Sequence, residues 1–414
     1  MIETLLFHCP FCKSPDSIVT RGKTRCISCG VHFERHGGQV LANGESYSAA
    51  SLYDKIRDLT QPPFNSSGGT ILLASKWATL KIARSFQIWH SAGCIHSTLE
   101  LGEKVARGRL EVTPSAITFN SPETSRRFSL DQVTCVTTDS NHFILKFRGE
   151  PYYLIDFETE SPLKYEVLLR RILQHYWRQK GLEIFEFQPR INFTAKRDGK
   201  SGLLKLSKHV VPRDRLDQKL VYHLLRAVAG VLFRLVFNVR VVGQENIPSS
   251  GPCLIILNHE GYWDAYFGQT LLKRRVAFLA KNSEFKNPLF RYVLQVFRAV
   301  PVKRYMIDPA SVRSALRLLA AGHAVGIFWE GERTWDGRFL PPKRSTVKLL
   351  IRAGVPVVPV RIRGSFDTQP RWGKDLQRHP VTLHVAAPIH FNSDATDLQE
   401  ATERITTVLN ELGN

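Results

Sequence analysis

Cys253-Leu254-Ile255-Ile256-Leu257-Asn258-His259-Glu260-Gly261-Tyr262-Trp263-Asp264 is the stretch on which the fold of this chain turns. Its first five residues are apolar without alternation, the pattern of a strand buried on both faces. His259 then stands at the strand's carboxyl end, and Asp264 follows after four intervening residues. Open α/β sheets hold their ligands at that edge. A histidine takes a proton from a hydroxyl near neutral pH, and a carboxylate fixes its tautomer and stabilises its charged form. No Ser or Cys stands beside the pair, so the nucleophile would be a hydroxyl on the substrate. The spacing alone is a weak signal, because a loop histidine capped by a nearby acid looks the same.

From Leu254 onward strand-like and helix-like runs alternate. Strands are expected at Leu254–Leu257, Val276–Ala280, Ala299–Val302, Val325–Trp329, Val357–Ile362 and Val381–Val385. Between the third and fourth, Asp308 is placed to cap a helix, Pro309 suits its first turn and Gly322 its end. A final amphipathic helix is expected at about Thr396–Leu412. Such alternation argues for an α/β fold, here with a central mixed sheet.

Four short blocks in this half resemble the glycerolipid acyltransferase family, which includes the lysophosphatidic acid (1-acylglycerol-3-phosphate) acyltransferases. They are Asn258-His259…Asp264, Ala299-Val300-Pro301-Val302-Lys303-Arg304, Phe328-Trp329-Glu330-Gly331-Glu332-Arg333-Thr334 and Val355-Pro356-Val357-Val358-Pro359-Val360, in the family's order. The resemblance spans roughly residues 215–392. It implies a His259–Asp264 dyad acting as general base. It also implies that Arg304 and Arg333 bind the phosphate of the acyl acceptor, with Glu330 and Gly331 shaping that site and Lys343 a further phosphate ligand. Acyl-CoA or acyl-ACP is the implied donor and a lysophospholipid the implied acceptor, most simply lysophosphatidic acid. The chain departs from the family at several points. Trp329 replaces the usual Pro, Glu332 puts an acid near the expected phosphate, and Ala299 replaces a Gly. Glu260-Gly261 replaces a common Gln/Arg-Ser pair. With His259 and Asp264 intact, these changes bear on the identity of the acceptor.

Elsewhere the chain is of several parts. Its 414 residues exceed one ordinary core. Cys9-Pro10-Phe11-Cys12 and Cys26-Ile27-Ser28-Cys29-Gly30 are separated by thirteen residues. Two such knuckles supply four thiolates to one tetrahedral zinc ion, and residues 1–36 resemble a zinc ribbon, with Phe7 and Phe33 as its cover. Residues 37–70 read as linker, rich in Gly, Ser, Asn and Pro, with one short helix near Leu52–Leu59. Residues 71–180 carry short runs of period two and then a helix at Pro162–Gln179, similar in outline to pleckstrin-homology or GRAM modules. Residues 181–212 read as a basic linker containing Lys196, Arg197, Lys200, Lys205 and Lys208, ahead of the acyltransferase-like part at 213–414.

The formal net charge of +20 calls for an anionic partner. In residues 219–237, Lys219, His223, Arg226, Gly230 and Arg234 fall on one stripe, with leucines and valines around the rest. That suits a helix lying in a membrane interface. Two arginines within it argue against a spanning helix, and no signal peptide is recognised at the start of the chain. The expectation is therefore a cytoplasmic protein, peripheral on an anionic membrane. Two other classes fit parts of the sequence: a non-catalytic lipid-binding adaptor and a ribbon-led nucleic-acid binder. Aromatic residues are not interleaved with the basic clusters, which argues against nucleic acid.

Overall fold

The computed structural model describes the chain apart from residues 1, 58, 60–69, 84–85, 92–93, 100–102, 140, 194–215, 304–307, 393–395 and 413–414. It divides into two compact units. One is built mainly from residues up to about 200 and the other mainly from those beyond.

The first unit opens with helix α1 (Ile2–Leu5) and a five-stranded antiparallel sheet: β1 (Ile18–Arg21), β2 (Lys23–Cys26), β3 (His32–His36), β4 (Gln39–Ala42) and β5 (Glu45–Ser48). Helix α2 (Ala49–Arg57) follows. Residues 37–48 are therefore not linker, and α2 overlaps the short helix expected near Leu52–Leu59. Asn43 and Gly44 both take positive φ between β4 and β5, the two-residue turn that continues a right-twisted hairpin. Phe7 and Phe33 are buried beneath the sheet.

Its larger sheet is assembled from β6 (Leu73–Ala74), β7 (Ala78–Ile82), β10 (Lys104–Val112), β11 (Ala116–Asn120), β12 (Ser125–Ser129), β13 (Val133–Asp139), β14 (His142–Phe147) and β15 (Tyr152–Phe157). The order is β12-β11-β10-β7-β15-β14-β13, with β6 on β10; β8 (Phe86–Ser91) and β9 (Cys94–Leu99), which fall mostly in the second unit, pair with each other. Helix α3 (Pro162–Arg178) closes the sheet, burying Tyr165, Leu169 and Leu173. Tyr165 stacks on Phe157 at 3.8 Å. This is the mainly-β architecture closed by one helix that the period-two runs predict. The expected basic linker is shorter than read, because β16 (Ile184–Glu186) pairs with β17 (Asn192–Phe193), and Ile184 and Ile191 join the core. Lys196, Arg197, Lys200, Lys205 and Lys208 lie outside the described residues.

The ribbon is fastened to α3. Ser161 Oγ donates to Thr4 O at 2.6 Å. Buried Lys164 meets Asp16 at 2.5 Å and Glu160 at 3.2 Å. Removing one partner of a buried ion pair leaves an uncompensated charge, so Lys164→Ala should cost about 3–5 kcal/mol in denaturant unfolding of this unit. A change within a few tenths of a kcal/mol would show that the pair holds nothing together.

The second unit is a seven-stranded mixed sheet in the order β18-β24-β23-β19-β22-β20-β21. Its strands are β18 (Arg240–Val242), β19 (Cys253–Leu257), β20 (Val276–Lys281), β21 (Val300–Val302), β22 (Ala324–Phe328), β23 (Val357–Arg363) and β24 (Thr382–Val385). Only the β23–β24 pairing is antiparallel. Every residue of central β19 is buried. Leu254 and Ile256 face a core shared with α7 (Pro309–Ala320), α8 (Arg344–Ala353) and α10 (Leu398–Glu411). Cys253, Ile255 and Leu257 face the other, shared with α4 (Leu216–Phe237) and α5 (Asp264–Leu271). Between α5 and α7 lies α6 (Pro288–Val296); α9 (Ser365–Thr368) follows β23. Asp308 caps α7 as expected, its carboxylate accepting from Ser311 N, with Pro309 in the first turn.

Among the described residues one helical stretch, Lys219–Phe237 in α4, is long and apolar enough to cross a bilayer by length and composition, where the sequence predicts no spanning helix. Its cationic stripe does not all face outward. Arg226 turns toward α5, donating from Nε to Thr270 O at 3.1 Å and from Nη2 to Leu272 O at 2.6 Å. Leu220, Leu224, Val228, Val231, Leu232 and Leu235 leave an exposed apolar stripe on α4 beside the exposed Lys219, His223 and Arg234.

Candidate active site and metal centre

The carboxyl end of β19 carries the site. Asn258 stitches that end to β23: its Nδ2 donates to Ile362 O at 2.9 Å, and its Oδ1 accepts from Ile362 N at 2.7 Å. The loop then turns so that His259 Nδ1 and Asp264 Oδ2 lie 2.9 Å apart, both buried. Asp264 opens α5, and Oδ2 also accepts from the amides of Glu260 (2.7 Å) and Gly261 (2.9 Å). Ser365 Oγ donates to Oδ1. The carboxylate is thus gripped on both oxygens, which fixes the orientation of the imidazole through Nδ1. Phe328 stacks on the imidazole at 3.9 Å and 15°. Gly261 is required here: a Cβ would come within 2.4 Å of Ser365 O.

The third block folds over the first. Trp329 N donates to Leu257 O at 3.1 Å and Thr334 N to His259 O at 3.0 Å. Glu330 is buried, its Oε1 3.2 Å from Trp329 Nε1 and 3.4 Å from His259 N. The Arg333 guanidinium lies 5.7 Å over the Tyr262 ring, inside the loop joining His259 to Asp264. Gly331 takes a positive φ with the Lys343 side chain packed against it. Glu330, Gly331, Arg333 and Lys343 therefore gather around the dyad loop. Arg304 lies outside the described residues.

Two residues here carry no sequence signal. Ser365 clasps Asp264 from about a hundred positions away. Arg371 pairs with Glu332 at 2.9 Å and donates to Arg333 O at 3.2 Å. The acid that sat awkwardly near an expected phosphate is thus already matched by a guanidinium. On the other side, Phe233 and Phe237 of α4 each pack 5.9 Å from Trp263, bringing the exposed helix to the edge of the dyad loop.

Burial pushes the Glu330 carboxyl up to about 8; hydrogen bonds from Trp329 and the local backbone oppose this, and the Asp264 charge adds to it. Burial, with Asp264 and Glu330 nearby, raises Glu260 in the same sense. A folded state that holds a proton the unfolded chain has lost becomes less stable as pH rises between those two values. Stability should therefore fall from about pH 4.5 to 8, and Glu330→Gln should flatten that slope in urea titrations. An unchanged slope would contradict the buried, protonated Glu330.

The sulfurs of Cys9, Cys12, Cys26 and Cys29 all lie within 4.8 Å of one another. Cys9–Cys29 is 3.7 Å and Cys12–Cys26 3.6 Å. Four thiolates at Zn–S of about 2.3 Å on a tetrahedron stand ~3.8 Å apart, so the donor set fits zinc with no position left open. Lys13 N bonds Cys9 O and Gly30 N bonds Cys26 O, closing the two knuckle turns. Cys135 and Cys253 are buried elsewhere.

The acyltransferase family profile matches residues 238–363. The 1-acyl-sn-glycerol-3-phosphate acyltransferase of Bacillus subtilis is 30% identical over 162 residues, 39% of this chain and 78% of that one. The chain belongs to the acyltransferase family. A chloroplast 1-acyl-sn-glycerol-3-phosphate acyltransferase of Brassica napus is 28% identical over 205 residues, 48% of this chain and 58% of that protein. The chain thus spans little more than half the length of that plant relative. The crystal structure of the 1-acyl-sn-glycerophosphate acyltransferase of Thermotoga maritima gives a TM-score of 0.42 at 25% identity, covering 48% of this chain and 81% of that one.

Proposed function

We propose that this protein transfers an acyl chain from acyl-CoA or acyl-ACP to the free hydroxyl of lysophosphatidic acid, yielding phosphatidic acid. What carries the reading is the His259–Asp264 hydrogen bond beneath a turn bearing Glu330 and Arg333. In the proposed reaction Arg333, with Arg304 and Lys343, holds the acceptor phosphate; a guanidinium fork matches phosphate oxygens. His259 Nε2 takes the hydroxyl proton as the oxygen attacks the thioester carbonyl. The tetrahedral intermediate collapses, the C–S bond breaks, and the thiolate leaves with the proton that the imidazolium returns. Asp264 stabilises the imidazolium meanwhile. Glu330 and Gly331 shape the acceptor pocket.

Zinc, held by Cys9, Cys12, Cys26 and Cys29, would be structural and take no part in the transfer. The apolar face of α4 would rest on the cytoplasmic side of a membrane, where the lysophospholipid acceptor partitions. Incubating purified protein with acyl-CoA or acyl-ACP and a panel of lysophospholipids, then reading ester products by mass spectrometry, tests the proposal. Phosphatidic acid should form from lysophosphatidic acid. Absence of ester from every donor–acceptor pair would leave a lipid-binding protein without catalysis.

A further inference from the structure

Helix α4 has a second feature beyond its apolar side. Leu220, Leu224, Val228, Val231, Leu232 and Leu235 are all at least half exposed and fall on one stripe of the helix. At the amino end of that stripe opens a cavity of about 320 Å³, within the size range of small-ligand sites. Lys219, His223 and Arg226 line it from α4, and Lys273, Arg274 and Arg275 from the turn between α5 and β20. No carboxylate lines it among the described residues. Two of its guanidiniums are held in place by carbonyls rather than by acids. Arg226 bonds Thr270 O and Leu272 O, and Arg274 bonds Pro248 O at 2.8 Å and Gly251 O at 3.0 Å. Arg275 lies 4.6 Å over the ring of Tyr222. Tyr222 also lines the cavity, is only 4% exposed, and its buried hydroxyl has no well-formed hydrogen-bond partner.

This cavity is not the catalytic centre. Helix α5 begins at Asp264 and ends at Leu271, next to the cavity. Eight residues at 1.5 Å each put it about 12 Å from the dyad's carboxylate. Two guanidiniums fixed by backbone carbonyls, Arg226 and Arg274, beside a phenol with no acceptor among the described residues, suit an oxyanion with several oxygens. Lys219 and His223 share helical turns with Leu220 and Leu224. A phosphate in the cavity therefore lies where an attached acyl chain runs along the apolar stripe, whereas a soluble phosphoester would leave the stripe uncovered.

We propose that this cavity binds the phosphate headgroup of an anionic phospholipid in the bilayer, as a site separate from that of the acceptor. It rests on the proposed membrane contact of α4, not on acyl transfer. The test is sedimentation of the full chain with phosphatidylcholine vesicles, with and without phosphatidylglycerol. The parent should prefer the anionic vesicles. The triple variant Lys219→Gln, His223→Gln, Lys273→Gln alters only exposed side chains, and should weaken that binding ~10–100-fold, at about 1 kcal/mol per surface cation. The pair Lys374→Gln, Arg378→Gln removes the same formal charge elsewhere and should bind like the parent. Equal loss in both variants, or no preference in the parent, would overturn the proposal. So would calorimetric binding of inorganic phosphate that the triple variant abolishes while its vesicle preference persists, since the occupant would then be a free phosphate. Acyl transfer to a short-chain soluble acceptor is measured on the same preparations. A protein inactive there yet selective for anionic vesicles would sink the enzymatic reading alone.

Discussion

His259→Ala should lower turnover of lysophosphatidic acid by about 10²–10⁴-fold, the usual contribution of a positioned general base. The imidazole lies against Phe328 and bonds Asp264, while the hydrogen bonds from the loop to Glu330 and Thr334 run through the backbone amide and carbonyl of His259. The fold should therefore survive, and circular dichroism should be unchanged. Loss should fall on kcat more than on KM, because the acceptor phosphate is assigned to other residues. Asp264→Asn makes a sharper companion. An amide facing Nδ1 favours the wrong tautomer, and the equivalent change in a Ser-His-Asp site costs about 10⁴-fold. Parent-like turnover in His259→Ala, read as phosphatidic acid by mass spectrometry, would end the general-base reading.

Stripping metal from the ribbon should have the second largest effect. Structural zinc bound to small thiolate sites carries ~10–16 kcal/mol of folding free energy. The sheet β1–β5 shares a small apolar core, in which Phe7 and Phe33 are buried with Leu5, Val40, Leu52 and Ile56. Purified protein should contain equimolar zinc by elemental analysis. A strong chelator, or Cys26→Ser, should expose residues 2–57 to proteolysis, and with them the Thr4 and Asp16 contacts to α3. Far less than half-stoichiometric zinc, or a ribbon indifferent to chelation, would show that the four thiols are only neighbours.

Much of the second unit could be read from the chain because its signals are local. Cys253–Leu257 is buried on both faces, which a continuous apolar run announces, and Asp308-Pro309 caps α7 through adjacent atoms. Where signals were short or compositional, the reading failed. β18 has three residues, too few for periodicity. Residues 37–48 read as linker because Gly, Ser and Asn dominate, yet Asn43-Gly44 is a hairpin turn and the strands beside it are half polar because they have one solvent face. Charge patterning along α4 located its stripe but not its direction; Arg226 turns inward because backbone carbonyls at the end of α5 accept from it. Ser365 and Arg371 were invisible for another reason. Their roles arise from strand order, which brings the end of β23 beside the end of β19.

That adjacency bears on how the protein can be cut. The segment matching the family profile stops at residue 363, two positions short of the hydroxyl that clasps Asp264. Gln369, whose carbonyl accepts from Tyr262 N and whose side chain accepts from Trp263 Nε1, lies further on still. An excised fragment trimmed to the recognisable motifs would keep every signature residue and discard the clamps that hold them in register.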